Sequence, residues 1–131
     1  METKLWYAQL KKPSWAPPSW LFGPVWSVLY LIIAISFGSV FWLAFTGAIS
    51  PWLALPFVLN LVFNAAFTPL QFGLRKNGLA ALDVLLVLIT LIWALATIYP
   101  IAPWVLYANI PYLIWGSFAT VLQFVITWLN R

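Results

Sequence analysis

The sequence predicts an all-α integral membrane protein that folds as a bundle of four transmembrane helices. Three observations predict this fold class. Of the 131 residues, 65% are hydrophobic and only 6% are charged, whereas a soluble domain carries about 25% charged residues. Four apolar stretches are long enough to cross about 30 Å of hydrocarbon. Finally, a chain with four spans places every basic residue on one side of the membrane.

The elements follow one another with clear turn signals. A tail of residues 1–20 precedes the first span and is expected to lie at the cytoplasmic surface. The four predicted spans cover approximately residues 21–45, 52–72, 79–98 and 104–128. Gly47 and Pro51 separate the first two spans, GLRKNG the next two, and YPIAP the last two. No repeat or linker interrupts this order, so residues 1–131 are expected to form a single domain.

The basic residues orient the bundle. They lie in the tail, in the loop between the second and third spans, and at the end of the chain: Lys4, Lys11, Lys12, Arg75, Lys76 and Arg131. The other two loops carry no charge. By the positive-inside rule, both termini are expected to be cytoplasmic.

The composition excludes several kinds of chemistry. The chain contains no Cys and no His, which excludes disulfides, thiolate metal sites and imidazole catalysis. There is also no carboxylate pair, metal-ligand cluster or Gly-rich phosphate loop. We therefore expect no catalytic residues, no metal site, no cofactor and no nucleic-acid partner. The expected partners are the lipid bilayer and an apolar small molecule.

Polar residues inside the spans are the informative ones. They fall on one helical face of the second span and one of the fourth. The two stripes are Asn60, Asn64, Thr68 and Gln71, and Asn109, Tyr112, Gly116, Thr120, Gln123 and Thr127. Because an unsatisfied amide is costly in lipid, both stripes are expected to face the bundle interior. They could serve as hydrogen-bonding glue between helices, or they could also line a ligand pocket.

Two tryptophans lie deeper than the membrane interface explains. Most of the others fit aromatic belts, with Trp52 and Trp104 at the outer surface. At about 1.5 Å rise per residue, Trp26 and Trp115 lie well inside the hydrocarbon. Each must bury an indole N–H where protein or ligand is the available acceptor. Pocket lining and core packing are both open for these two residues.

Asp83 is the one acid within a predicted span. An intramembrane carboxylate can serve as a proton or cation site. Asp83 nevertheless lies close to the start of its span, near Arg75 and Lys76. A structural ion pair or a hydrogen bond is the alternative role.

Three segments of the chain resemble the tryptophan-rich sensory proteins, or translocator proteins, of the TspO/MBR family. The stretch LWYAQLKKPSWAPPSWLFGPVWSVLY is similar to the family's W-Y-x-x-L-x-K-P-S-W-x-P-P…G-P-V-W…L-Y signature. NLVFNAAFTPLQFGLRKNGLAALDVLLV is similar to the family's second conserved stretch. PYLIWGSFATVLQFVITWLN is similar to its last helix. The segments occur in family order and cover nearly the whole chain.

The resemblance implies a pocket enclosed by the helices, with the segment from Trp6 to Pro18 as its lid. Family ligands include tetrapyrroles such as protoporphyrin IX, sterols and benzodiazepine-type compounds. The matching positions that would line the pocket are Trp26, Tyr30, Asn64, Phe67, Val84, Trp115 and Ala119. Asn60, in the same stripe as Asn64, is added to this predicted site. Family members are also associated with light-dependent porphyrin breakdown, for which Trp26 and Trp115 are the matching tryptophans.

The chain departs from the family pattern in three respects. The family has five spans, and this chain begins where the first of them would end. A homodimer partner or lipid is expected to cover the side that this helix would occupy. Phe124 replaces the Tyr of the family's sterol motif, which argues against sterol specificity there. Ala65 and Gln71 replace aromatic residues, which makes the second span more polar.

Several functions therefore remain open on the sequence. The leading hypothesis is a membrane protein that binds or senses a tetrapyrrole, with transport of the ligand as an additional role. A second is a photochemical enzyme that degrades bound porphyrin. The alternatives are a small proton-coupled transporter of the multidrug type, which would need Asp83, and a structural membrane subunit.

Overall fold

The computed structural model describes residues 14–16, 19–68, 70 and 77–130. All the regular structure among these residues is helical. The elements are α1 (Ser19–Phe45), a 3-10 segment (Pro51–Ala54), α2 (Leu55–Thr68), α3 (Asn77–Ile98), α4 (Pro103–Ala108) and α5 (Ile110–Leu129). The predicted all-α fold class is confirmed.

Three helices of the described chain are long and apolar enough to span a membrane: Trp20–Phe45, Gly78–Ile98 and Ile110–Leu129. A shorter apolar helical stretch, Pro51–Phe67, accounts for the second predicted span. At about 1.5 Å per residue, its 17 residues extend about 25 Å. This arrangement is consistent with a four-helix membrane bundle. Many large apolar side chains point outward, as expected for a surface in contact with lipid.

A glycine turn ends α1. Gly47 has a φ of 82°, a conformation that a residue without Cβ adopts easily. The N–H of Ala48 donates to Leu43 O at 2.9 Å, and the N–H of Gly47 donates to Ala44 O at 3.3 Å. This pair of bonds is a Schellman motif, which satisfies carbonyls that the helix end would leave free. The chain then turns into the 3-10 segment, where the Ser50 side chain accepts from the N–H of Trp52.

The fourth predicted span is divided at Asn109 into α4 and α5. Pro111 has no N–H, so the helical ladder loses the bond to Tyr107 O. Asn109 has a φ of −95° and a ψ of 8°, and its N–H is shared between Val105 O and Leu106 O. The helix resumes with Leu113 N–H donating to Asn109 O at 2.9 Å. The break therefore lies within the polar stripe of this segment, three residues before Tyr112.

The third helix is the centre of the bundle. α3 lies between α2 and α5 and contacts both, whereas α1 contacts the 3-10 segment and α4. Phe37 of α1 and Phe57 of α2 pack edge to face, with ring centroids 4.8 Å apart. These rings belong to one continuous apolar core that includes residues of all five helices. This core holds the helices that carry the polar residues described next.

Candidate ligand-binding site

A chain of hydrogen bonds joins three helices through four polar side chains. The Tyr30 hydroxyl of α1 donates to Asn64 Oδ1 of α2 at 3.2 Å. Asn64 Nδ2 donates to the Tyr112 hydroxyl of α5 at 2.9 Å. The Tyr112 hydroxyl in turn donates to Asn60 Oδ1 at 2.8 Å. Every hydroxyl proton of this chain is therefore committed to an acceptor within it.

The chain of bonds ends on α3. Asn60 Nδ2 donates to Val87 O at 2.9 Å and to Thr90 Oγ1 at 3.2 Å. The Thr90 hydroxyl lies 2.8 Å from Leu86 O and 3.0 Å from Val87 O, acceptors on its own helix. The whole network thus links α1, α2, α3 and α5 with no charged group.

The described part of the two polar stripes faces inward, with Thr127 half-buried, whereas the side chains of Thr68 and Gln71 lie outside the described residues. Asn60 and Asn64 of α2 are buried. Asn109 and, in α5, Tyr112, Gly116, Thr120 and Gln123 are also buried. An interhelical hydrogen bond in a membrane contributes about 0.6–2 kcal/mol, so the network does stabilise the bundle. Tyr30 differs from the others because its side chain is 51% exposed, which leaves one end of the network accessible.

Two groups of aromatic rings lie beside this network, between α1 and α5. The Trp26 ring lies 5.4 Å from Tyr30 and 6.4 Å from Tyr112, between centroids. We call the following set of rings the aromatic surface: Trp15, Phe22, Trp26, Tyr30, Tyr112, Trp115 and Phe118. Tyr112 is fully buried, whereas the other six rings are half-buried or exposed and present flat, polarisable faces.

Trp115 is the centre of the second half of the aromatic surface. Its ring lies 5.7 Å from Phe22 of α1 and 5.5 Å from Phe118 of α5. Phe118 in turn contacts Trp15, which precedes α1, at 5.7 Å. The indole Nε1 of Trp115 is buried and has no hydrogen-bond partner among the residues that the structure describes. Leaving such a donor unpaired costs about 1–3 kcal/mol, so an acceptor from a ligand would be favourable here.

The structure brings most of the predicted site residues together. Trp26, Tyr30, Asn60 and Asn64 are joined by the network and the ring contacts. Trp115 belongs to the same aromatic surface. Of the remaining three, Val84 is buried on α3, and Phe67 and Ala119 are half-buried on α2 and α5.

Three further residues adjoin the candidate site: Tyr112, which the sequence places only in a polar stripe that could line a pocket, and Phe22 and Phe118, which the sequence does not indicate. Tyr112 lies in the polar stripe of the fourth span, and that stripe was the signal that could have identified it. Phe22 and Phe118 gave no signal, since a phenylalanine that faces a pocket is indistinguishable in sequence from one that faces lipid.

Asp83 is buried on α3, with 5% of its surface exposed. Its Oδ2 has no hydrogen-bond partner among the described residues. Arg75 and Lys76, its predicted ion-pair partners, lie outside those residues, so the ion pair stays a prediction. Most of the predicted lid from Trp6 to Pro18 also lies outside them. Within the described part of the lid, Trp15 contacts Phe118.

A second polar contact lies further along the bundle, at the break between α4 and α5. Asn109 Nδ2 donates to Ser36 Oγ of α1 at 2.9 Å and to Val105 O at 2.8 Å. The Ser36 hydroxyl donates to Ile32 O within α1. Both side chains are fully buried. This contact joins α1 to the break between α4 and α5.

Comparisons with known proteins show the family of the chain. The TspO/MBR family profile matches residues 1–129. The chain is 41% identical to an uncharacterized membrane protein, YtaB, of Bacillus subtilis over 127 residues, which is 95% of this chain and 80% of the relative. It is 37% identical to tryptophan-rich protein TspO of Bacillus cereus over 130 residues, covering 97% and 82%.

A human relative shows the same breadth of similarity. The translocator protein of Homo sapiens is 36% identical over 124 residues, which is 92% of this chain and 72% of the human protein. The similarity therefore covers nearly the whole chain. The helices, their order and these matches lead to one conclusion: the chain is a multi-pass integral membrane protein that belongs to the TspO/MBR family.

Proposed function

We propose that the protein binds a tetrapyrrole, such as protoporphyrin IX, or a similarly flat apolar molecule within the bundle. The observation that carries this proposal is the aromatic surface beside the buried indole N–H of Trp115, for which the described part of the chain supplies no acceptor. Flat rings stack on aromatic faces, and a few placed polar groups orient them. The family resemblance supports the same class of ligand.

The chemistry of the lining suits a large conjugated ring with few polar groups. Trp26 and Tyr30 offer ring faces on α1, and Trp115 offers a ring and a free donor on α5. Asn60 and Asn64 hold Tyr112 and Tyr30 in place, so the aromatic side chains are already ordered before a ligand enters. Preordering of this kind lowers the entropy cost of binding. Lys11 and Lys12, in the tail, are the expected partners of the ligand's carboxylates.

A titration of the detergent-solubilised protein with protoporphyrin IX tests the proposal. The expected result is a saturable shift of the porphyrin Soret band with one site per chain. Trp26→Phe combined with Trp115→Phe should weaken binding at least about tenfold, because ring area and the free N–H are lost together.

The matched control is the pair Trp42→Phe and Trp52→Phe. These tryptophans are 66% and 77% exposed on the lipid-facing surface, away from the proposed site. Their replacement should leave the affinity within about twofold. Equal affinities of the two double variants for protoporphyrin IX would show that the ligand does not use the aromatic surface.

Light-dependent breakdown of the bound porphyrin is a second candidate function. It is favoured by the position of Trp26 and Trp115 in the proposed site, where an indole would lie against the excited ring. Illumination of the complex should then bleach the Soret band faster than illumination of free porphyrin in the same detergent. Trp26→Phe with Trp115→Phe, at saturating porphyrin, should remove the difference. Identical bleaching with and without protein would leave binding as the function.

A further inference from the structure

Asp83 is a buried acid to which the proposed function assigns no role. Its side chain is 5% exposed, and Oδ2 is enclosed without a hydrogen-bond partner among the described residues. A carboxylate inside a membrane is costly unless it is paired or hydrogen-bonded. The position therefore requires an explanation.

Asp83 lies beside the hydrogen-bond network of the site. On α3 it is one turn before Val87, whose carbonyl accepts from Asn60. On α2, which runs antiparallel to α3, Asn64 is one turn after Asn60. Asn64 and Asp83 are therefore at the same level of the bundle.

The neighbouring polar groups do not supply the missing donor. The Tyr112 hydroxyl donates to Asn60, and the Tyr30 hydroxyl donates to Asn64. Both protons are therefore committed elsewhere. The described residues also include no Lys, Arg or His, because the six basic residues all lie at positions outside them. Among the described residues no donor reaches Asp83 Oδ2, so a donor from a bound molecule would satisfy it.

We propose that Asp83 pairs with an ammonium group of the bound ligand, so that the site prefers flat aromatic ligands carrying a cationic amine. The proposal rests on the proposed function, because it concerns the same site. It also divides the polar roles. The Trp115 indole N–H donates to an acceptor of the ligand. Asp83 accepts from a donor of the ligand, and so can the Tyr30 oxygen, whose own proton is donated to Asn64.

Two derivatives of one porphyrin test this preference. The first carries a single aminomethyl group, which is an ammonium at neutral pH, and the second carries the same group acetylated to a neutral amide. The measured quantity is the charge preference, defined as the Kd of the acetylated probe divided by the Kd of the ammonium probe. Taking this ratio in wild type and variants cancels the different partitioning of the probes into detergent.

The expected charge preference of the wild type is at least about ten, since removing one partner of a buried charge pair typically weakens binding by tenfold or more. Asp83→Asn keeps the size of the side chain and should bring the preference to about one to two. The affinity for the acetylated probe should change less than about twofold. An unchanged preference in Asp83→Asn, or a wild-type preference near one, would overturn the proposal.

The loop cations provide the competing explanation and the control. If Arg75 or Lys76 already neutralises Asp83, the wild type will show no preference, and Arg75→Gln with Lys76→Gln will create one. That outcome rejects the proposal for the native protein. If the acetylated probe itself does not bind to the wild type, the proposed function fails, and this inference fails with it.

A chemical measurement on the unmodified chain covers the case in which Asp83→Asn does not fold. Dicyclohexylcarbodiimide, an apolar reagent, converts intramembrane carboxyl groups to N-acylureas that peptide mass spectrometry locates. The ammonium probe at saturation should slow labelling of Asp83 several-fold more than the acetylated probe at saturation. Equal protection by the two probes would reject the assignment of Asp83 as their distinguishing contact.

Discussion

At the scale of single residues, Tyr112 is the most connected side chain of the site. It is fully buried, accepts from Asn64 and donates to Asn60. Tyr112→Phe keeps the ring but leaves one amide donor and one amide acceptor without their partner. We expect the free energy of unfolding to fall by about 1–2 kcal/mol, measured by reversible unfolding in mixed micelles.

A second tyrosine provides the control for that measurement. The Tyr99 hydroxyl lies 3.4 Å from the Tyr107 hydroxyl, and both side chains are exposed. Tyr99→Phe should therefore change the free energy of unfolding by less than about 0.5 kcal/mol. If both variants lose the same stability, the network does not hold the helices as described.

The residue scale also shows what sequence reasoning can reach. Asn60, Asn64 and Tyr112 were expected to face inward because polar groups in lipid are costly and their spacing repeats with the helix. Their mutual bonds were not predictable, since periodicity gives a face and not a partner. The positions of Phe22 and Phe118 were not predictable for a different reason. An apolar side chain is equally acceptable in lipid, in the core and in a pocket.

At the scale of elements, the contact between α3 and α5 can be tested at Gly116. A Cβ at this buried position would lie 3.9 Å from Leu88 Cδ1, an ordinary van der Waals distance. Gly116→Ala should therefore be neutral or stabilise the bundle, by at most about 1 kcal/mol, through its better helix propensity. Thermal unfolding measures this. A loss of more than about 1 kcal/mol would mean that α3 and α5 pack more tightly than the structure shows.

The helix break illustrates a limit of sequence reasoning at this scale. Pro111 marks a lost backbone bond, but a proline in a membrane helix can leave it straight, bend it or divide it, because neighbouring groups can satisfy the freed carbonyls. The outcome depends here on Asn109, whose side chain bonds to Ser36 of another helix. That tertiary contact is not encoded in the local pattern of apolar residues.

At the scale of the whole molecule, the orientation in the membrane stays a prediction from charge. All six basic residues lie outside the described residues, so the described helices do not test the orientation. The absence of Cys makes a direct test simple. Ala48→Cys, in the exposed turn after α1, should react with an impermeant maleimide in intact cells, whereas Ser14→Cys should react only after lysis. The reverse pattern would contradict cytoplasmic termini.

The central claim about the molecule is that a flat ligand occupies the aromatic surface. The most direct measurement is 19F NMR of protein labelled with 5-fluorotryptophan, each resonance being assigned by a Trp→Phe variant. The ring current of a porphyrin acts over a few ångströms, so it identifies the indoles that touch the ligand. Protoporphyrin IX should shift the resonances of Trp26 and Trp115 and leave those of Trp42 and Trp52 unchanged. Shifts at Trp42 or Trp52, with Trp26 and Trp115 unaffected, would contradict the account.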